Sequence, residues 1–167
     1  MVPTYSLAQL NAMSEADFIA ALGHIFEQTP RIAQQAWLQR PFASIADLHQ
    51  KMVAIVDQLP PAQQIDLICA HPDLGSRAKM AEVSVKEQAG AGLDQLTASE
   101  YDRFQSLNQA YKAKFGFPFI IAVRNHTKAT ILAAFEQRLQ NTPDREQQTA
   151  LTEIATIAQF RLQDSIH

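Results

Sequence analysis

The chain has 167 residues, 47% of them hydrophobic, 19% charged and 8% aromatic, with a formal net charge of -3. This is enough to close a proper core and excludes a linker, a tail or a disordered regulator. Fourteen Lys and Arg against seventeen Asp and Glu leave no surplus of positive charge to follow a polyphosphate backbone, so nucleic acid is not expected as a partner. The single cysteine, Cys69, supports neither an intramolecular disulfide nor a multi-thiolate zinc site.

In chain order, Ser14 with Asp17 predicts a helix start and a helix over Glu15 to Thr29, with Phe18, Leu22, Ile25 and Phe26 on one face. Pro30 closes it. Arg31 to Arg40, carrying Ile32, Ala36 and Trp37, is a second helix stopped by Pro41. Ser44 with Asp47 opens a third through Leu59, and Pro60-Pro61 begins a fourth that ends at Ala70-His71-Pro72, because a residue before proline is pushed out of helical geometry. Asp73 to Val83 reads as a loop or irregular helix. Ser84 with Glu87 reads as a further helix start, with Gly90 and Gly92 ending that helix early.

Thr97 with Glu100 is the cleanest capping box, opening a helix through Lys114 with Phe104, Leu107, Asn108 and Tyr111 on one side. Phe115-Gly116-Phe117-Pro118-Phe119-Ile120-Ile121-Ala122-Val123 is the one strand-like stretch, but no second strand is present to pair with it. It is expected to be a buried extended connector near 116–123. Thr127 to Asn141 and Pro143 to Ile166 complete the set. The expected fold is all-α, a single compact domain over 1–167 with about eight helices; scarce glycine and valine beside abundant Ala, Gln and Leu favour helices over sheets. The connector is far shorter than the ~20 residues of a membrane span. Met1 to Leu10 has no basic start leading into an apolar run, so the expected location is cytoplasmic, with no membrane partner.

Metal and nucleotide chemistry find little support. There is no His-Glu-x-x-His, no histidine pair at i, i+4 and no Cys-x-x-Cys, and the Gly90-Ala91-Gly92 turn follows a helix, not a strand. His71 with Asp73 is a weak two-ligand signal, and no metal site is expected. Cys69 lies in an apolar helical turn and reads as a buried, inert thiol.

His71 stands at a helix end with its backbone restrained by Pro72, and imidazole, with a reference pKa of about 6.5, suits proton transfer near neutrality. A polar helix cap is the competing reading. Ser84, Glu87 and Gln88 cluster at an expected helix N-terminus, where free N–H groups bind anions or carbonyls; a Ser-x-x-Glu cap explains two of the three without a ligand. Arg161 falls inside the apolar arc of Leu151, Ile154, Ala155, Ile157, Ala158 and Leu162. An inward guanidinium needs an anion or a route to solvent: a protein carboxylate, a snorkelling side chain, or a bidentate grip on a substrate carboxylate.

Taken together, Ala70-His71-Pro72-Asp73-Leu74, the run Ser84-Val85-Lys86-Glu87-Gln88-Ala89-Gly90-Ala91-Gly92-Leu93, then Phe115-Gly116-Phe117-Pro118-Phe119-Ile120-Ile121 and the late Arg161-Leu162 resemble the ureidoimidazoline decarboxylases of urate breakdown. Those enzymes act on 2-oxo-4-hydroxy-4-carboxy-5-ureidoimidazoline (OHCU). The similarity also takes in Leu107-Asn108-x-x-Tyr111 and Ala129 to Leu139. It implies an all-helical, cofactor-free homodimer that converts OHCU to (S)-allantoin with release of carbon dioxide. His71, Glu87 and Arg161 resemble the catalytic residues, with Pro72, Ser84, Glu87, Gln88, Phe119, Ile120, Ile121, Ala122, Val123 and Arg161 around the substrate. One departure is that Gly75 to Val83 is a few residues shorter than the common family form, with Gly75-Ser76-Arg77 in place of Leu-Ala-Gly-Lys. Two competing functions remain at this level: a helical module whose apolar connector binds a partner helix or peptide, and an enzyme acting on another ureido acid.

Overall fold

A computed structural model describes residues 3–76 and 80–167. Among these it is all-α: nine α-helices, one short 3-10 turn and no named strand, only an isolated bridge between Tyr5 and Ile166. Arg77, and with it the middle of the shortened 75–83 loop, lies outside the described residues. The chain forms two compact units, one of residues up to Ala70 with Ala155–His167, the other His71–Ile154.

The first unit holds α1 (Leu7–Ala12), α2 (Glu15–Leu22), α3 (Arg31–Trp37), α4 (Ile45–Asp57) and α5 (Pro61–Cys69). Helix α1 was not predicted, although Ser6 and Gln9 form a reciprocal capping box there. Ser14 and Ser44 cap α2 and α4 as expected, each accepting a backbone N–H three residues on. The expected helix over Glu15 to Thr29 instead ends at Leu22. The carbonyls of His24 and Ile25 accept from Arg161 Nη1 at 3.2 and 3.4 Å, so they serve a guanidinium in place of the next helical turn. Phe18 stacks on Phe42, with centroids 5.8 Å apart, within a core that includes Leu10, Ile32, Leu48, Met52 and Leu67.

The second unit holds α6 (Glu82–Gly90), α7 (Ala98–Phe115), the 3-10 turn Val123–Asn125, α8 (Lys128–Arg138) and the first part of α9 (Pro143–Ser165), the helix that continues into the C-terminal segment of the first unit. The Thr97 box is formed in both directions, Glu100 N–H to Thr97 Oγ1 at 3.2 Å and Thr97 N–H to Glu100 Oε1 at 3.0 Å. Helix α7 ends where Gly116 takes φ +78°, a left-handed conformation that glycine adopts without a Cβ penalty. The connector then bends at 116–117 and runs into the 3-10 turn without helix or strand pairing among the described residues, Ala122 being extended at its end, and every residue from Phe117 to Val123 is buried. Tyr111 is the hub of an aromatic cluster with Phe115, Phe117, Phe119 and Phe135, at centroid distances from 4.5 to 6.1 Å.

Two local expectations are corrected. Ser84 does not cap its helix. Helix α6 begins at Glu82 behind Ala81, so Ser84 is a buried residue of its first turn. Cys69 is exposed; local desolvation and the nearby Asp66 charge raise its pKa, so it is an unactivated thiol on the surface and not one in the core.

Candidate functional site

In the second unit the residues after α5 make a tight turn that α6 and α7 hold from two sides. Gln88, 7% exposed, accepts from Gly75 N–H at 3.1 Å and donates to Asp73 O at 3.5 Å. From α7, Asn108 Nδ2 donates to Leu74 O at 2.9 Å and Lys112 pairs with Asp73 at 2.6 Å. Gly75 sits at φ +68°, a left-handed conformation that favours glycine, and a Cβ there would press on the tip of the Leu96 side chain at 2.9 Å. With the turn held in this way, His71 is 8% exposed at its start. Asp73 Oδ2 is engaged by Lys112. Among the described residues no group of three or more His, Cys, Asp and Glu is arranged to hold a metal ion.

Helix α6, carrying Ser84, Glu87 and Gln88, packs against the 3-10 turn that ends the connector. His71, Pro72, Ser84, Glu87, Gln88 and Phe119–Val123 therefore belong to one compact unit, tied together by Gln88 and by the contact of α6 with Val123–Asn125.

The connector's backbone is serviced from α8 and α9. Glu146, 0% exposed, accepts from Tyr111 Oη at 2.6 Å, from Asn141 Nδ2 at 3.0 Å and from Arg138 Nε. Arg138 Nη1 donates to Ile120 O at 2.6 Å, and its guanidinium lies 4.3 Å from the Phe119 ring centroid. Glu153 Oε2 accepts Ala122 N–H at 3.0 Å. Burial first, and then the bond to the Glu146 carboxylate, push the Tyr111 phenol far above its ordinary range, so it stays protonated and donates. Part of the connector's hydrogen bonding is thus met by protein side chains, which resolves how a buried extended segment persists without a strand partner.

Arg161 belongs to the first unit and is 2% exposed. Its Nη2 meets Glu27 Oε2 at 3.0 Å and its Nη1 meets the carbonyls of His24 and Ile25. Of the readings open from sequence, snorkelling is excluded and the protein carboxylate is realised. Sequence reasoning placed Arg161 but missed Arg138, Glu146 and Glu153. Arg138 had the same signal: Ile131, Phe135 and Arg138 share one helical face at i, i+4, i+7. Glu146 lies on the stripe with Ala150 and Ile154, but nothing in the chain's order names its partners.

A family model described as OHCU decarboxylase matches residues 11–163. The chain is 42% identical over 159 residues to the 2-oxo-4-hydroxy-4-carboxy-5-ureidoimidazoline decarboxylase of Halalkalicoccus jeotgali, covering 95% of this chain and 90% of that one. To the protein of the same name from Haloferax volcanii it is 41% identical over 157 residues, 94% of each chain. Among solved structures it is similar to that of an (S)-allantoin synthase, with a TM-score of 0.77 and 34% identity over 97% of this chain and 54% of that one. A match whose span, residues 11–163, takes in the His71 turn, α6, the connector and most of α9 identifies the chain as a member of the OHCU decarboxylase family.

Proposed function

We propose that this protein is a lyase that decarboxylates OHCU stereospecifically to (S)-allantoin and carbon dioxide, the third step of urate breakdown to allantoin. What supports the reading is family membership over residues 11–163, together with one unit that holds the His71 turn, α6 and the connector. A partner-binding connector is disfavoured because Phe117 to Val123 is buried.

In the proposed reaction the C4–carboxylate bond breaks and carbon dioxide leaves. The electron pair forms a C4=C5 bond while the C5=N π pair moves onto nitrogen, which takes up a proton. His71 accepts the C4 hydroxyl proton and C5 gains a proton, giving the C4 carbonyl and the C5 stereocentre. The substrate is its own electron sink, so the proposal assigns no cofactor and no metal. Glu87 orients the hydroxyl or the imidazole. Pro72, Ser84 and the backbone of Phe119, Ile120, Ile121, Ala122 and Val123 bind the substrate, and Gln88 acts through the turn it holds. Phe117, Phe119 and Ile121 supply apolar walls that weaken carboxylate solvation. Arg161 holds an anionic or carbonyl oxygen; a grip on the departing carboxylate itself would stabilise the ground state and slow the step. The enzyme is proposed to work as a cytoplasmic homodimer.

The test generates OHCU freshly from urate with the two upstream activities, adds the protein and follows the circular dichroism of allantoin. Acceleration with an optically active product is expected; no acceleration and a racemic product would sink the reading. His71→Ala abolishes turnover with helicity intact. Arg161→Lys keeps the charge but loses the planar fork, so substrate affinity falls. Unchanged affinity would leave Arg161 a structural partner of Glu27 only.

A further inference from the structure

Arg138 and Glu153 hold the two peptide groups on either side of Ile121. The 120–121 peptide has its carbonyl on Arg138 Nη1 at 2.6 Å, and the 121–122 peptide has its N–H on Glu153 Oε2 at 3.0 Å. Both peptides are trans, and in a trans peptide the C=O and N–H point in opposite directions. Fixing the Ile120 carbonyl therefore turns the Ile121 N–H away from Arg138, and fixing the Ala122 N–H turns the Ile121 carbonyl away from Glu153. Ile121 is 4% exposed, yet neither of these groups has a hydrogen-bond partner among the described residues. A buried donor and acceptor left open on one residue match the edge of an amide or ureide, which carries an N–H beside a C=O.

We propose that Arg138 and Glu153 are positioning residues that orient the Ile121 N–H and C=O toward a ureide or lactam edge of the substrate. This rests on the decarboxylase reading. Arg138 is itself anchored by Glu146, which Tyr111 and Asn141 also hold, so the orientation is set from the core of the unit. Glu153, half-buried on α9, acts directly on the Ala122 N–H.

Glu153→Leu removes the acceptor with little demand on folding, Glu153→Gln restores it without the charge, and Arg138→Lys keeps the charge facing Glu146 but loses the fork that reaches Ile120. The Ile121 pair binds ground state and transition state alike. Glu153→Leu and Arg138→Lys are therefore expected to raise KM about tenfold, with kcat and its pH profile within about twofold of wild type. Glu153→Gln is expected to remain near wild type. Amide exchange at Ala122 should accelerate in Glu153→Leu and not in Glu153→Gln. Ile131→Val, which loosens α8 without removing a hydrogen bond, serves as the stability control. An active wild type with unchanged KM in Glu153→Leu overturns the positioning role alone, as does equal loss in Leu and Gln variants or loss that tracks the unfolding midpoint of Ile131→Val. A wild type without activity on OHCU overturns the decarboxylase reading and the positioning role with it.

Discussion

Replacing Glu146 by leucine is a severe perturbation of the second unit away from its proposed catalytic residues. The carboxylate is 0% exposed and serves three donors: Tyr111, Asn141 and the Arg138 guanidinium. Its removal leaves Arg138, 8% exposed, as a buried charge without its counter-ion, a change that costs about 3–5 kcal/mol. The orphaned Tyr111 hydroxyl adds roughly 1 kcal/mol or more, not strictly additively. Against a total stability of roughly 5–15 kcal/mol, this is a large fraction, and it corresponds to a fall in Tm on the order of 10 °C for a chain of this size. Two companions set the scale. Tyr111→Phe removes one donor and leaves the ion pair, at about 1 kcal/mol, whereas Glu146→Leu with Arg138→Met removes both charges and recovers most of the loss. Urea unfolding followed by circular dichroism at 222 nm measures all three at constant slope. A Glu146→Leu protein within about 1 kcal/mol of wild type, or a double variant no more stable than the single, would refute the buried-pair account.

Three further outcomes follow from the same structure. Gln88→Leu leaves Gly75 N–H without its acceptor and frees the turn that begins at His71; kcat/KM should fall at least tenfold while helical content is retained, and wild-type kinetics would show that the turn holds without it. Gly116→Ala meets nothing within 4 Å, so its cost is purely that of the φ +78° conformation, about 1 kcal/mol by urea unfolding. A cost several times larger would mean a steric clash that the geometry lacks. The Glu100 carboxyl is held below its ordinary 4.5 by the Thr97 backbone N–H and then by Lys128. Its stabilising contribution is therefore present above that ordinary value and lost as pH falls through the depressed one. Glu100→Gln should flatten the fall of the urea midpoint as pH drops below the ordinary 4.5; an unchanged slope would remove the cap's ionic part.

Local chemistry was legible where it is local. The Ser14, Ser44 and Thr97 caps and the helix start at Pro60-Pro61 follow from side chains a few positions apart, and the structure has them; the stop expected at Pro30 failed, because the first predicted helix already ends at Leu22 and Pro30 instead precedes the next one. The Ser84 reading failed for the same kind of reason: a Ser-x-x-Glu pattern also fits inside a helix, and only the start at Glu82 decides. The inward course of Arg161 was legible from the helical arc, because periodicity reports which face is buried.

What periodicity does not report is the partner. That Arg161 ends on Glu27, 134 residues away, that Asn108 and Gln88 close on the turn after His71, and that Arg138 and Glu153 take opposite sides of Ile121 are all decided by packing between segments remote in sequence. The chain's order determined an all-α protein with a buried extended connector and a histidine at a helix end. Tertiary structure decided which backbone groups of that connector are spent on protein and which remain open, because a buried polar group is satisfied by whatever the fold brings within about 3 Å of it.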